Sequence, residues 1–314
     1  MNILVLVSYN SDILLDVIIK GFVKLGFRIG RELTIYPNDA SIYRHSDHLF
    51  SMKLMKPDME YKPDEIGYRL QHKEYDLIIM GSIWGLPYMK DVYNHILSFS
   101  NNTPCVIVSE DATSIIDNLD YYGLGNINLI SYFHTNSREG EKTDSIPFYV
   151  LEEDCFFGDK IIDTFFAGNF TPYRKTYLDK LIGAGYQNIY GYTLITTKSN
   201  YLKYLRISSV GFGIYSFDVP QSSNRFRHIE TVSQGCALFM KRPVPEFKTV
   251  HEFEDGISAI YYNDPDDLLV KLGEGFADRE KLNWIARNGY DHVMNYHLDY
   301  QGAQYILDNI KSKL

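Results

Sequence analysis

The chain has 314 residues, of which 45% are hydrophobic and 23% are charged. This length suits two domains of about 150 residues each, and the ordinary globular balance argues against disorder. Its 31 basic and 40 acidic residues give a net charge of −9, which disfavours a nucleic-acid partner and, less firmly, an anionic membrane surface, because both attract basic proteins.

The three cysteines indicate a reducing compartment. Cys105, Cys155 and Cys236 are widely spaced, form no CxxC motif and lie in or beside apolar runs, so we expect buried free thiols. The apolar residues 1–7 lack a basic leader and a cleavage site, and no run reaches the roughly 18 apolar residues that span a bilayer. We therefore expect a cytoplasmic protein without a transmembrane segment.

The first half of the chain alternates short apolar runs with helix-like segments. The polar region between 38 and 73 interrupts this alternation, and there we expect loops and short helices that face a substrate. This alternation is typical of a parallel sheet covered by helices on both faces. In chain order we expect a strand at 3–7, a helix at 12–25, a strand at 76–80, a helix at 88–100 and strands at 105–109 and 127–133.

The same pattern restarts after a polar stretch at 136–144, which predicts a domain boundary. The sequence thus predicts an α/β protein with domains at 1–150 and 151–298, and a terminal helix at 299–314 that packs back on the first domain. In the second half we expect strands at 161–167, 189–191, 210–215, 237–240 and 257–262, and helices at 173–184, 224–235, 266–276, 278–293 and 299–312.

Ligands of such folds bind where the carboxyl ends of strands give way to helices. The first junction of this kind in the second half contains Gly168, Asn169 and Arg174, which we expect to bind the substrate. Gly168 lets the backbone approach a ligand, and Arg174 in the first helical turn reaches a phosphate. The alternative, which the spacing alone favours, is a plain turn glycine and a solvated arginine.

The second junction, within 215–238, has more polar side chains. Ser222 and Asn224 offer N-cap oxygens at a helix start, where anions bind. Glu230 lies further along this helix, where its carboxylate can accept hydrogen bonds from sugar hydroxyls. Because Arg227 and Glu230 are three residues apart, an ordinary surface ion pair is the competing interpretation.

Two acidic residues of the first half are candidates for a catalytic base. Glu110 and Asp111 follow a strand of the first half, at the edge of the sheet where cleft chemistry occurs. A helix N-cap pair is an equally good interpretation of the two acids. His134, at the end of the next strand, is a weaker candidate.

Two segments raise the question of a metal. Asp264, Pro265 and Asp266 spell a DxD motif, but the sequence favours a helix start, with Asp264 as the cap and Pro265 in the first turn. His45 and His48 lie in a polar segment that reads better as a solvated loop. We expect no metal site.

Residues 164–297 resemble the C-terminal, donor-binding domain of GT-B glycosyltransferases, in particular the group 1 and CgeB-like (spore-coat maturation protein-like) branch. Each motif is weak alone, but the ordered set over about 130 residues is specific. The motifs are Phe-Phe-Ala-Gly with an arginine six positions on (165–174), Ser-Asn-Arg-Phe with the glutamate at 230 and Gly-Cys-Ala-Leu (223–238), Glu-Asp-Gly-Ile-Ser-Ala-Ile (254–260), Asn-Asp-Pro-Asp-Asp-Leu-Leu (263–269) and Ala-Arg-Asn-Gly-Tyr (286–290).

The resemblance implies two Rossmann-like domains whose parallel sheets face each other across a cleft, with a nucleotide-diphosphate-sugar in the second domain. It implies that Glu230 contacts donor ribose or sugar hydroxyls and that Arg174 approaches the diphosphate. Asn224 and Arg225 match an Asn-Arg pair of the CgeB-like branch. Ser222 stands where many relatives carry a second acid, a departure that bears on donor-sugar recognition. The resemblance also implies that neither a metal nor another cofactor is required, because helix dipole and basic side chains stabilise the leaving diphosphate.

The leading functional prediction is transfer of a sugar from this donor to a hydroxyl of a glycan, a lipid-linked or a small-molecule acceptor, in surface-glycan or related synthesis. A nucleotide-sugar 2-epimerase of the same fold is the second interpretation. A non-catalytic binding protein is the third, and Ser222 favours it. A DNA-base glucosyltransferase is the fourth, and the net charge of −9 disfavours it.

Overall fold

The computed structural model describes residues 2–8, 13–35, 75–81, 98, 103–109, 128–134, 144–168, 170–191, 198–215, 226–244 and 250–313. These residues form two compact units. The first unit contains the described residues up to 146 together with 299–313, and the second contains residues 147–298. Each unit is built on one parallel sheet.

A six-stranded parallel sheet forms the centre of the first unit. Its spatial order is β2 (Arg28–Ile35), β1 (Asn2–Ser8), β3 (Leu77–Gly81), β4 (Cys105–Ser109), β5 (Leu129–His134) and β6 (Asp144–Ser145). Helix α1 (Ile13–Lys24) joins β1 to β2 and buries Leu14, Ile18 and Phe22. The strands predicted near 3–7, 76–80, 105–109 and 127–133 are confirmed, because their continuous apolar runs are buried in a sheet that is covered on both faces.

The sequence analysis missed β2 and β6. Strand β2 carries Arg28, Arg31 and Glu32, which interrupt the apolar pattern, and it occupies one edge of the described sheet, where charges are tolerated. Strand β6 has two residues and gives no periodic signal. The helix predicted at 88–100 and the polar region 38–73 lie outside the described residues, apart from Ser98.

Helix α7 (Asp299–Lys311) packs against α1 within the first unit. The two backbones come close because Gly21 has no side chain, and a Cβ at this position would overlap the carbonyl oxygen of Asp299. The carboxylate of Asp299 is fully buried and forms a salt bridge with Lys24, whose Nζ lies 2.7 Å from Oδ2. A buried carboxylate must be paired to be tolerated, so Lys24 and Gly21 together fix where α7 begins.

A five-stranded parallel sheet forms the centre of the second unit. Its spatial order is β11 (Ile260–Tyr262), β10 (Ala237–Lys241), β9 (Ser208–Gly213), β7 (Ile162–Gly168) and β8 (Ile189–Gly191). The helices of this unit are α2 (Pro172–Gly183), α3 (Lys198–Ile207), α4 (Phe226–Ser233), α5 (Pro265–Ala277) and α6 (Arg279–Tyr296). The predicted repetition of the strand–helix pattern is therefore confirmed.

Strand β7 shows why its second half is apolar. Phe166 packs with side chains of α2, α5 and α6. Its neighbours Phe165 and Ala167 join the opposite cluster, which includes side chains of α3. Successive side chains of a strand point to opposite faces, so burial of both faces favours three consecutive apolar residues here, whereas Asp163 near the start of the strand is exposed.

Two predictions in the second unit need correction. The strand expected at 257–262 is present only over Ile260–Tyr262, because Gly256 adopts φ +76° and the backbone turns, with the carbonyl of Glu254 accepting from the N–H groups of Ile257, Ser258 and Ala259. Helix α3 was not predicted at all, since its first residues are polar. Its Tyr201 and Leu205, four residues apart, form the buried stripe.

The helix start expected at Asp264 is confirmed. The Oδ1 of Asp264 accepts hydrogen bonds from the N–H groups of Asp266 and Asp267, both at 2.9 Å, and Pro265 is the first helical residue. The cysteines carry free thiols, as expected. Cys105 and Cys236 are buried, whereas Cys155 is partly exposed, which corrects the expectation that it is buried too.

The contact between α1 and α7 predicts the effect of Gly21→Ala. The added Cβ forces the two helices apart, and we expect a loss of about 1–3 kcal/mol in the free energy of unfolding, measured by urea denaturation. The control is Gly183→Ala at the end of α2, where a Cβ meets no atom within 4 Å. There the better helix former should be neutral or stabilising by up to about 1 kcal/mol. Equal stability of the two variants would contradict the close approach at Gly21.

Candidate functional site

The order of strands in the second sheet marks one position for a ligand. The chain passes from β7 to β8 on one side and then, through α3, to β9 on the other side of β7. In sheets wound in both directions, ligands bind outside the carboxyl ends of the strands at such a switch point. Here those ends are Gly168 of β7 and Gly213 of β9.

Arg174 lies at this switch point. It is in the first turn of α2, whose N-cap Thr171 accepts a hydrogen bond from the Arg174 N–H. The side chain is 9% exposed, its Nε donates to the carbonyl of Ile214 at 2.9 Å, and its guanidinium lies 5.8 Å from the centre of the Phe166 ring. Burial and, next, the positive charge of Arg227 lower the pKa of the guanidinium to about 10, so the group stays charged at neutral pH.

Arg227 reaches the same place from α4. Its Nη1 donates to the carbonyl of Ala167, and its guanidinium lies 5.5 Å from the centre of the Phe166 ring and 5.9 Å from that of Tyr201. Within the described part of the chain, Arg227 forms no salt bridge. Carbonyl dipoles and aromatic faces hold this cation, which leaves its positive charge uncompensated by a carboxylate.

Gly168 lies between the two guanidinium groups. A Cβ placed on Gly168 would be 3.0 Å from Nη1 of Arg227 and 3.3 Å from Nη1 of Arg174. We call these two side chains the arginine pair. The absence of a side chain at Gly168 lets the two guanidinium groups pack close to its backbone. Two planar cations side by side suit a phosphate or diphosphate group.

Two further glycines explain how α4 brings Arg227 to this position. A Cβ at Gly211 would lie 2.5 Å from Cγ2 of Thr231, and a Cβ at Gly213 would overlap the ring of His228. Helix α4 therefore rests directly on the backbone of β9. The spacing Gly-Phe-Gly at 211–213 was the sequence signal for this close approach, and the sequence analysis did not use it.

Glu230 lies one turn after Arg227 on α4 and is 3% exposed. This burial excludes the surface ion pair between the two residues that the sequence analysis held open. The carboxylate lies near the phenol of Tyr201, whose pKa is raised first by burial, with a further contribution from the charge of Glu230. A buried carboxylate near the switch point can accept hydrogen bonds from ligand hydroxyls.

A lysine and three tyrosines line the same edge of the sheet. The Nζ of Lys241, at the end of β10, donates to the hydroxyl of Tyr173 at 2.8 Å, and this hydroxyl is 2.9 Å from that of Tyr177. Tyr262 donates to the carbonyl of Gly213 at 3.2 Å. Lys241 is thus hydrogen-bonded to the residue that directly precedes Arg174.

The structure brings together Gly168, Arg174 and Glu230 of the predicted site residues. Arg227 and Tyr201 join them, and the sequence analysis assigned neither to the site. Six other predicted site residues lie outside the described part of the chain: Glu110, Asp111, Asn169, Ser222, Asn224 and Arg225.

Comparison with known proteins places this geometry in context. Residues 172–308 match the family model described as "Glycosyl transferase-like". No curated protein sequence matches the chain. Among solved structures, the Anabaena protein Alr3699/HepE in complex with UDP-glucose aligns at 12% identity over 99% of both chains, with a TM-score of 0.63. A glycosyltransferase from Rickettsia africae ESF-5 aligns at 10% identity over 99% of this chain and 98% of its own, with a TM-score of 0.56.

The chain has the GT-B fold. The fold predicted from residues 164–297 is thereby confirmed, with a parallel sheet in each unit. The family model covers four of the five motifs in whole and the end of the first, since it begins at residue 172. In this GT-B chain the arginine pair lies at the switch point of the second sheet.

The described residues contain neither a metal-binding cluster nor a membrane-spanning helix. No group of three or more His, Cys, Asp or Glu side chains there is arranged to hold a metal ion. No helix there is long and apolar enough to cross a membrane.

The arginine pair predicts an anion site that can be measured with inorganic pyrophosphate. Arg227→Met should weaken pyrophosphate binding, measured by calorimetry, by about tenfold or more, because a hydrogen bond to a charged group contributes about 1.5–3 kcal/mol. The matched control is Arg279→Met, since Arg279 also lies over a phenylalanine ring, that of Phe276, but is exposed and paired with Asp163. Equal losses in the two variants would contradict the assignment.

Proposed function

We propose that this protein is a glycosyltransferase that takes a sugar from a nucleotide-diphosphate-sugar bound in the second unit. The observation that carries the proposal is the arginine pair beside Gly168, at the switch point of the second sheet. The match of residues 172–308 to a glycosyltransferase-like family model supports it.

The arginine pair suits the leaving group of this reaction. In the transfer, the bond between the anomeric carbon and the diphosphate oxygen breaks, and its electron pair stays on that oxygen. The diphosphate therefore gains negative charge as the bond breaks, and fixed cations stabilise this charge without reorganisation. Arg174 and Arg227 supply two such cations, so we propose that the chemistry requires neither a metal ion nor another cofactor.

Glu230 is proposed to bind hydroxyl groups of the donor. Its carboxylate is buried near the arginine pair on the same helix as Arg227. A carboxylate accepts charge-assisted hydrogen bonds from ribose or sugar hydroxyls, and a polar site of this kind discriminates strongly against ligands that lack the matching hydroxyl.

The proposals for the acceptor side of the reaction are based on the sequence alone. The acceptor oxygen bonds to the anomeric carbon and loses its proton, for which Glu110 or Asp111 stays the proposed base. The first unit is the proposed acceptor domain, and a glycan, lipid-linked or small-molecule hydroxyl is the proposed acceptor. The CgeB-like branch and the cytoplasmic location stay predictions.

Donor hydrolysis tests the proposed function. The protein is incubated without acceptor with UDP-, GDP- and dTDP-sugars, beginning with UDP-glucose, which the Anabaena protein carries in its complex. We expect slow release of one nucleoside diphosphate, detected by chromatography, at the same rate in EDTA. If the protein neither turns over nor binds any of these donors, that result would contradict an enzyme of this class.

Other outcomes of the same assay would favour one of the alternative functions. A 2-epimerised donor would favour the epimerase. Donor binding that never leads to transfer, whatever acceptor is added, would favour the non-catalytic binding protein. Transfer to DNA would favour the DNA-base glucosyltransferase.

Glu230→Gln tests the proposed hydroxyl contact. The substitution keeps the shape and removes the charge, so we expect the KM for the donor to rise about tenfold, since a charge-assisted hydrogen bond becomes a neutral one. Pyrophosphate binding should stay within twofold. The control is Glu280→Gln on the exposed side of α6. An unchanged KM in Glu230→Gln would exclude Glu230 from the donor site.

A further inference from the structure

We infer that Tyr201 of α3 is a positioning residue that holds Arg227 in the donor site. The inference rests on the proposed function, because it concerns how that site is assembled. Tyr201 is 3% exposed, so it acts through Arg227 and not by contact with the substrate.

The ring of Tyr201 supports Arg227. The guanidinium carbon of Arg227 lies 5.9 Å from the centre of this ring and 5.5 Å from that of Phe166. The two rings lie on β7 and α3 and contribute to opposite clusters of the second unit. Aromatic faces attract a cation, most strongly where water is excluded. Arg227 is thus held by a ring from each side, and loss of the Tyr201 ring removes one of the two.

Tyr201 has little freedom of its own. It is 3% exposed, and its ring packs against Phe165 at a centroid distance of 5.6 Å. A buried aromatic ring that is packed in this way is a rigid support for the guanidinium beside it.

Tyr204 provides a matched control on the same helix. It stacks on the same Phe165 ring at a centroid distance of 5.4 Å with an interplanar angle of 6°. The aromatic contacts given for Tyr204 are with Phe165 and Tyr190, not with Arg227. Tyr204→Leu thus removes comparable aromatic packing from the same cluster while it leaves the ring beneath Arg227 in place.

The experiment measures dissociation constants for pyrophosphate and for the best nucleotide-sugar. Tyr201→Leu should weaken both about tenfold or more. Tyr201→Phe, which keeps the ring, should leave both constants within twofold. Tyr204→Leu should change neither constant by more than twofold. If Tyr201→Leu does not fold by circular dichroism, Tyr201→Met takes its place, since it fills similar space without an aromatic face.

A double-mutant cycle separates positioning from simple packing. In the Arg227→Met background, Tyr201→Leu should add less than a twofold loss in pyrophosphate binding, because the side chain that it supports is gone. Additive losses, or equal losses in Tyr201→Leu and Tyr204→Leu, would overturn the role of the ring. A loss in Tyr201→Phe as large as that in Tyr201→Leu would overturn it as well, because phenylalanine keeps the ring. A wild-type protein that binds pyrophosphate but no nucleotide would instead contradict the proposed function.

Discussion

Two guanidinium groups held side by side are the constraint on which the candidate site depends. Like charges repel, and the charge of Arg227 contributes to the lowered pKa of Arg174. The arrangement persists because each cation has a carbonyl acceptor, Ile214 for Arg174 and Ala167 for Arg227, and because both share the face of Phe166. An anion bound between them would relieve the repulsion, which is why we propose that a diphosphate binds there.

The position of the arginine pair depends on close approach to the backbone of the sheet. Gly168 lets both guanidiniums approach the end of β7, and Gly211 and Gly213 let α4 rest on β9. The strand order places the ends of β7 and β9 side by side at the switch point. Small residues at strand ends thus decide where the charged side chains of two helices meet. The same logic recurs in the first unit, where Gly21 allows α7 to approach α1.

Most of the fold could be predicted from the sequence, because strands of a sheet that is buried on both faces contain continuous apolar runs, such as residues 165–167 of β7. Elements that are charged or that begin with polar residues, such as β2 and α3, could not be predicted in this way. Arg174 and Glu230 were found through their positions in family motifs. Arg227 was considered only as a partner of Glu230 in a competing surface ion pair, since spacing along a helix does not reveal which face is buried. The contribution of α3 to the site depends on a long-range contact that local periodicity does not encode.

The central claim is that the arginine pair binds the diphosphate of a nucleotide-sugar, and a crystal structure of the protein with a bound nucleoside diphosphate tests it most directly. The account predicts phosphate oxygens within hydrogen-bond distance of the guanidiniums of both Arg174 and Arg227, with the diphosphate over the backbone of Gly168. A diphosphate bound elsewhere, with Arg174 and Arg227 still hydrogen-bonded only to Ile214 and Ala167, would contradict it.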